Sequence, residues 1–173
     1  MIVGKYTYFS TEIKTTWDTN TTKLIIGSFC SIGKDVLVYL GGNHRVDWIS
    51  TFPFGHIHQH IFNNFDGTES TISNGDVIIG NDVWIGDNVT IMSGVKIGDG
   101  AVIANNSHIV KDIEPYSMVG GNPGKLIKKR FSDEVIEKLL TLKWWEMDDN
   151  TINEITPLLC SPNLDELFNR FNL

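Results

Sequence analysis

Aliphatic side chains recur every six residues through the middle of the chain, at Ile79, Ile85, Ile91, Ile97, Ile103 and Ile109. A second column runs two positions ahead, through Val77, Val83, Val89, Val95, Ala101 and Ser107. Three positions after each isoleucine stand Asp82, Asn88, Gly94, Gly100, Asn106 and Asp112, residue types that tolerate positive φ. A period of six fits neither the 3.6 of a helix nor the alternation of an isolated strand. It fits a chain that runs extended, turns a corner, and does so three times in each coil of about eighteen residues. Inward aliphatics then stack from coil to coil at the strand spacing of roughly 4.8 Å.

The same spacing begins earlier, at Ile26, Ile32 and Val38, with Asp35 and Gly41 at the corner positions, and its next step lands on His44. Ile79 follows Ile26 by 53 residues, not a multiple of six, so residues 42–75 are expected to leave the coil as a loop. Loops this long inside a compact domain are usually functional rather than mere connectors. Residues 1–23 are Thr-rich, with apolar positions at Tyr6, Tyr8, Ile13 and Trp17, and are expected to form irregular strands that start the β-helix. After Asp112 the period decays through Pro115 and the turn-prone Gly120-Gly121-Asn122-Pro123-Gly124.

Ser132 then reads as an N-cap, and Val135, Ile136, Leu139 and Leu140 predict a helix over about 133–143. Leu164, Leu167, Phe168 and Phe171 predict a second over about 163–171. The expected organisation is a β-helical domain over 1–131, bearing the 42–75 loop, and a helical segment over 132–173 packed on it. Such a segment would shield an otherwise open sheet edge. The flat, partly apolar faces of so short a prism favour burial against copies of itself, and a closed homotrimer is expected.

Composition narrows the function classes. A net charge of −7 disfavours nucleic acid as a partner, and no stretch approaches a membrane span. Two cysteines far apart, Cys30 and Cys160, suit reduced thiols in a cytoplasmic protein better than a disulfide framework. Against the overall acidity, Lys125, Lys128, Lys129 and Arg130 gather four of the 14 basic residues in one run, which suits anion capture or a solvated helix entry. His56, His58 and His60 alternate, a spacing that can bind zinc, but no cysteine or carboxylate cluster accompanies them and no metal is expected. His108 is expected to point outward from the coil.

The segment Gly41-Gly42-Asn43-His44-Arg45-Val46-Asp47-Trp48, with its continuation Ser50-Thr51-Phe52-Pro53-Phe54, resembles the active-site loop of the xenobiotic acetyltransferase group. Asp82-Val83-Trp84-Ile85-Gly86, Gly120-Gly121-Asn122-Pro123 and Trp144-Trp145 extend the resemblance over roughly residues 24–148. That group consists of hexapeptide-repeat acyltransferases and includes the streptogramin and chloramphenicol acetyltransferases. The resemblance implies an all-β fold, a left-handed parallel β-helix, against the right-handed rule for parallel crossovers. It also implies acetyl-CoA as co-substrate and active sites between the subunits of a trimer.

Acetyl transfer from a thioester to a hydroxyl requires a base for the attacking hydroxyl and a proton for the departing thiolate, which a histidine can supply in turn near neutral pH. His44, opening the loop beside the coil wall, matches the family's catalytic histidine. Asp47 either orients the imidazole, as the third member of a hydrolase triad does, or forms a local turn. The resemblance places Lys125, Lys128 and Arg130 near the nucleotide phosphates and Pro123 near the adenine; Trp84, Ala104, Asn105, Asn106 and Lys111 are further candidates for cofactor binding. Ala104-Asn105-Asn106 departs from the Gly-Asp corner pattern and would let a pantetheine arm lie close. Trp84 points out of its column, toward either cofactor or trimer partner. Trp48, Phe52 and Phe54 form an acceptor wall or the loop's own small core. The expected function is an acetyl-CoA-dependent O-acetyltransferase acting on a carbohydrate hydroxyl. An antibiotic such as a streptogramin or chloramphenicol is the alternative acceptor, and a non-catalytic trimeric scaffold the alternative class.

Overall fold

A computed structural model describes residues 1–17 and 21–173. Three short strands separated by corners make each coil of a left-handed parallel β-helix. The first coil holds β1 (Ile2–Val3), β2 (Tyr8–Phe9) and β3 (Lys14–Thr16), and the second β4 (Leu24–Ile26), β5 (Ser31–Ile32) and β6 (Leu37–Tyr39). The hairpin of β7 (Asn43–His44) and β8 (Thr71–Ile72) then forms the foot of the long loop. Coiling resumes with β9 (Val77–Ile79), β10 (Trp84–Ile85) and β11 (Thr90–Ile91), followed by β12 (Lys96–Ile97), β13 (Val102–Ile103) and β14 (His108–Ile109). A partial last coil carries β15 (Ser117–Gly120), on which β16 (Lys125–Lys129) folds back antiparallel.

The walls follow the hydrophobic columns. Ile26 pairs directly with Ile79 across the ejected loop, Ile32 with Ile85 and Val38 with Ile91, so the 53-residue break costs no register. Both columns are buried from Leu24 to Ile109, with Ser107 the buried polar member. The Ser107 hydroxyl satisfies itself by donating to Ala104 O at 2.6 Å.

Residues 1–16 start the β-helix as expected, but as a complete coil in register rather than irregular strands, with Val3 against Ile26, Phe9 against Ile32 and Thr15 against Val38; residues 18–20 of that expectation lie outside the described residues. Their corner escaped the sequence pattern because aromatic residues occupy it. Tyr6, Phe29 and Tyr116 take positive φ at the corner where Asp82 and Gly100 stand in the coils between. Ring packing offsets that strain: Tyr6 lies 5.0 Å from Phe29, and Phe29 lies 4.8 Å from Trp144. Asp82, Asn88, Gly94, Gly100, Asn106 and Asp35 also turn at positive φ. Asp112 does not, and its Oδ1 instead accepts from Lys96 N at 2.8 Å; the left-handed residue beside Gly41 is Gly42.

The helical segment contains α1 (Asp133–Leu142), α2 (Asp149–Leu159) and α3 (Leu164–Phe171). The Ser132 side chain caps α1 by accepting from Val135 N. The sequence pattern missed α2, which carries Pro157, but its N-cap Asp148 accepts from both Asn150 N and Thr151 N. The segment clasps the coil at both ends. Ile136, Leu139, Leu167 and Phe168 cluster with Tyr116 of the last coil, while Lys5 Nζ reaches Asp149 at 3.1 Å from the first. Among the described residues no helix is long and apolar enough to cross a membrane.

Candidate active site

The loop that leaves the coil at Gly42 is anchored by its feet. Asn43 Nδ2 donates to the buried Ser93 hydroxyl at 2.7 Å, and Asn74 N, at the returning foot, donates to the same oxygen at 3.3 Å. His44, next to this anchor, is exposed, and its Nδ1 stands 2.6 Å from Thr51 O. A carbonyl only accepts, so Nδ1 carries the proton of the neutral ring and Nε2 keeps a free lone pair.

Asp47 does not make this contact. Its carboxylate accepts from Arg45 Nε at 2.8 Å and from Arg45 Nη2 at 2.5 Å. The Arg45 guanidinium holds the Asp47 carboxyl well below the usual carboxylate range, at about 2. The expected His–Asp pair is therefore replaced by a histidine held by a main-chain carbonyl. Thr51 was invisible as a partner because it accepts through its main-chain carbonyl, which leaves no side-chain signature.

Thr51 continues into the wall of a cavity of about 680 Å³, whose lining includes Trp48, Phe52, Phe54, Phe62, Phe65 and Asp47. Phe54 packs edge-on against Phe52 at 4.8 Å and against Phe62 at 5.2 Å, so the rings that line the cavity also brace one another. The loop's own core and the candidate acceptor wall are thus the same residues. Neither lysine nor arginine lines this cavity.

A second set of candidates shares one wall of the coil. The register runs Ser31–Trp84–Val102–Met118–Lys128, which puts Trp84 and Lys128 on the same outward row, three strand spacings or roughly 14 Å apart. Trp84 is 56 % exposed and borders a groove of about 270 Å³ with Tyr8, Ser31, Asp87 and Asn105. Lys125 pairs with Gly120 across the β15–β16 hairpin and, like Lys111 and Pro123, is exposed.

Asn105 does not break the corner pattern. Its Oδ1 accepts from Asp87 N at 3.1 Å as Asp87 Oδ1 accepts from Lys34 N at 2.7 Å, so the side-chain ladder continues through it. Asn106 holds its corner at positive φ. The departure is confined to Ala104, where glycine stands at Gly33 and Gly86 in the coils before it. Arg130 turns away from the basic run: its Nη1 donates to Gly100 O at 2.7 Å and lies 3.7 Å from Asp82. Its guanidinium also stacks on Tyr116 and Phe131, which removes it from the phosphate group the sequence suggested. Lys129 pairs with Asp133.

The His56 Nε2 atom is 3.0 Å from Gly67 O, and among the described residues no group of three His, Cys, Asp or Glu could hold a metal ion. His108 is partly exposed on β14. Cys30 is buried and Cys160 exposed, both free.

The bacterial transferase hexapeptide family, defined by six repeats, matches residues 76–111. The chain is 46 % identical over 153 residues to a chloramphenicol acetyltransferase of Escherichia coli, covering 86 % of this chain and 71 % of that one. It is 51 % identical to a probable macrolide acetyltransferase of Lysinibacillus sphaericus, covering 87 % and 84 %, and 44 % identical to a virginiamycin A acetyltransferase of Staphylococcus aureus, covering 96 % and 80 %. Among solved structures, a hexapeptide-repeat acetyltransferase from Vibrio cholerae superposes with a TM-score of 0.56 at 26 % identity, over 75 % of this chain and 62 % of that one.

Proposed function

Because the chain belongs to the xenobiotic acetyltransferase group of the hexapeptide-repeat transferases, we propose that it acetylates a hydroxyl of an antibiotic, with acetyl-CoA as the acetyl donor. The observation that carries this reading is the His44–Thr51 bond, which leaves the other ring nitrogen free and ties the imidazole to a residue whose neighbours Ser50 and Phe52 line an aromatic cavity. Acetyl-CoA supplies an activated acetyl group. His44 Nε2 takes the proton of the acceptor hydroxyl as its oxygen attacks, and the resulting imidazolium returns that proton to the departing sulfur. Thr51 O keeps the ring oriented throughout and stabilises the imidazolium, a role that was one of the two readings of Asp47 from sequence.

The order of acceptors expected from sequence is reversed. Relatives named for chloramphenicol, macrolide and virginiamycin cover two thirds or more of their length with this chain. The cavity wall favours the same order. Its aromatic and aliphatic side chains suit an apolar, ring-bearing body, and no cation lines it to meet an acidic sugar or nucleotide sugar.

The cofactor reading rests on Trp84, Lys125 and Lys128 along one wall, with Asn105 beside Trp84 in its groove and Ala104 and Asn106 at the corner that follows Val102–Ile103; Lys111 and Pro123 join it from the family resemblance. Ala104 is the smallest step on that wall after glycine, and the two lysines are free to meet phosphate. The β-helix over 1–131 and the segment 132–173 act as one unit in the cytoplasm. The unit assembles as a homotrimer with its sites between subunits, because Tyr8, Ile78 and Trp84 leave apolar side chains outward on flat walls.

The test is thiol release from acetyl-CoA with chloramphenicol, a macrolide, virginiamycin and a panel of sugars. Turnover on one antibiotic should exceed that on every sugar by at least about tenfold. A sugar turned over faster than all three antibiotics would restore the carbohydrate reading. Light scattering should find a single species of three 19.4 kDa chains, and a stable monomer would exclude shared sites.

A further inference from the structure

Arg45, absent from the candidates read from the sequence, holds together three side chains of the loop, Asp47, Trp48 and Glu69. Its guanidinium grips Asp47 on the outgoing limb through Nε and Nη2. Its Nη1 reaches Glu69 on the returning limb at 3.8 Å, and Thr71, two residues on, pairs with His44 across the hairpin. The same guanidinium lies 5.1 Å from the Trp48 ring centroid, and Phe65 packs edge-on to that ring at 5.8 Å. Trp48 is therefore flanked by a cation and a ring, and Asp47, Trp48 and Phe65 all line the cavity.

We propose that Arg45 is the positioning residue of the acceptor pocket: it ties the two limbs of the loop together and sets where the Trp48 wall stands. The functional consequence rests on the acetyltransferase reading given above. Arginine is suited to this task because its planar fork can bind a carboxylate with two nitrogens while one face covers an aromatic ring. Lysine, a point charge on a flexible stem, cannot do both at once. Its neighbour His44 is held separately, through Thr51 O and the Asn43 anchor, so loss of the clamp should move the wall more than the base.

The experiment compares Arg45→Lys and Arg45→Met with the unaltered protein in two arms. In the first, the protein is labelled with 5-fluorotryptophan, the Trp48 resonance is assigned through Trp48→Phe, and fluorine NMR spectra are recorded without any ligand. Both variants should shift or broaden the Trp48 signal while leaving those of Trp84, Trp144 and Trp145 in place, which also reports that the coil has folded. In the second, steady-state kinetics should show the KM for the antibiotic raised about tenfold, with kcat and the KM for acetyl-CoA within about threefold. Because lysine keeps the charge, its failure to rescue separates geometry from net charge. An unchanged Trp48 signal, or an unchanged acceptor KM in an active enzyme, overturns the proposal, as does full rescue by lysine. If the unaltered protein acetylates none of the antibiotics, the functional reading fails, while the NMR arm still decides the clamp.

Discussion

His44 Nδ1 and the carbonyl oxygen of Thr51 stand 2.6 Å apart across a seven-residue turn of the loop. The contact joins the candidate base to the segment that carries Phe52 and Phe54 of the cavity wall, while the Trp48 side of that wall is held from Arg45. It also frees Asp47 for Arg45, which makes the two residues read as a catalytic pair separable by experiment.

His44→Ala should lower kcat by roughly 10²- to 10⁴-fold, the size of a general-base contribution. The KM for acetyl-CoA should change little. Asp47→Asn should leave kcat within a few-fold, because its carboxylate touches Arg45 and not the imidazole. Parallel steady-state assays check both, and a loss of kcat in Asp47→Asn as deep as that in His44→Ala would reinstate the triad.

The basic run should divide by role. Lys128→Ala should weaken acetyl-CoA binding several-fold, and the difference from the unaltered protein should shrink at high salt, as for any exposed charge pair. Arg130→Ala should instead lower stability by about 1–3 kcal/mol, because the guanidinium donates to Gly100 O and covers the Tyr116 and Phe131 rings. Isothermal titration and thermal melts of the two variants would expose any exchange of these effects.

Tyr116 is 2 % exposed, and its hydroxyl finds no hydrogen-bond partner among the described residues. Tyr116→Phe removes a buried polar group while keeping the ring, and should stabilise by about 1 kcal/mol, or roughly 2–4 °C in Tm. Burial, and then the Asp82 charge, push the Tyr116 phenol well above its ordinary value of 10.0. A raised folded value gives a contribution present below pH 10 and lost as pH rises beyond it. Alkaline melts should therefore show the unaltered protein losing stability faster than Tyr116→Phe above that pH. Parallel alkaline curves would contradict this.

Asp47 behaves in the opposite sense. The Arg45 guanidinium depresses its carboxyl from 3.8 to about 2. A depressed folded value gives a contribution present above the ordinary carboxylate range and lost as pH falls from there through about 2. The Tm difference between the unaltered protein and Asp47→Asn should be constant from pH 7 to 5, narrow below pH 4, and disappear near pH 2. A difference that does not narrow at all as pH falls would mean that Asp47 acts by packing alone.

The coil was legible because each inward position repeats the same local problem. An aliphatic must fill the prism at every sixth residue and a left-handed corner must follow, so Ile79 to Ile109 and Asp82 to Asn106 print the period directly into the chain. The first coil was less legible because Tyr6 occupies a corner where aspartate, asparagine or glycine was sought, a choice offset by its packing on Phe29 of the next coil, which in turn packs on Trp144. The α2 helix also escaped the sequence reading; it starts on the N-cap Asp148 and carries Pro157 within it.

The site divides along the same line. His44, Trp84, Lys128 and the aromatic loop could be named from sequence, since residue type and motif identify what a side chain can do. Their grouping could not. Trp84 and Lys128 meet on one wall only through the register of four strands, and Arg130 leaves the basic run because the last coil offers Gly100 O and Asp82 to its guanidinium. The partner of His44 is a main-chain carbonyl, a group that every residue carries and no sequence distinguishes. The sequence alone determined the repeat and the ejected loop, because these follow from local periodicity, and it offered His44 as candidate base through its motif's resemblance to a family. Only the tertiary structure decided which groups hold that base and shape its cavity, because hydrogen-bond partners are selected by position in space.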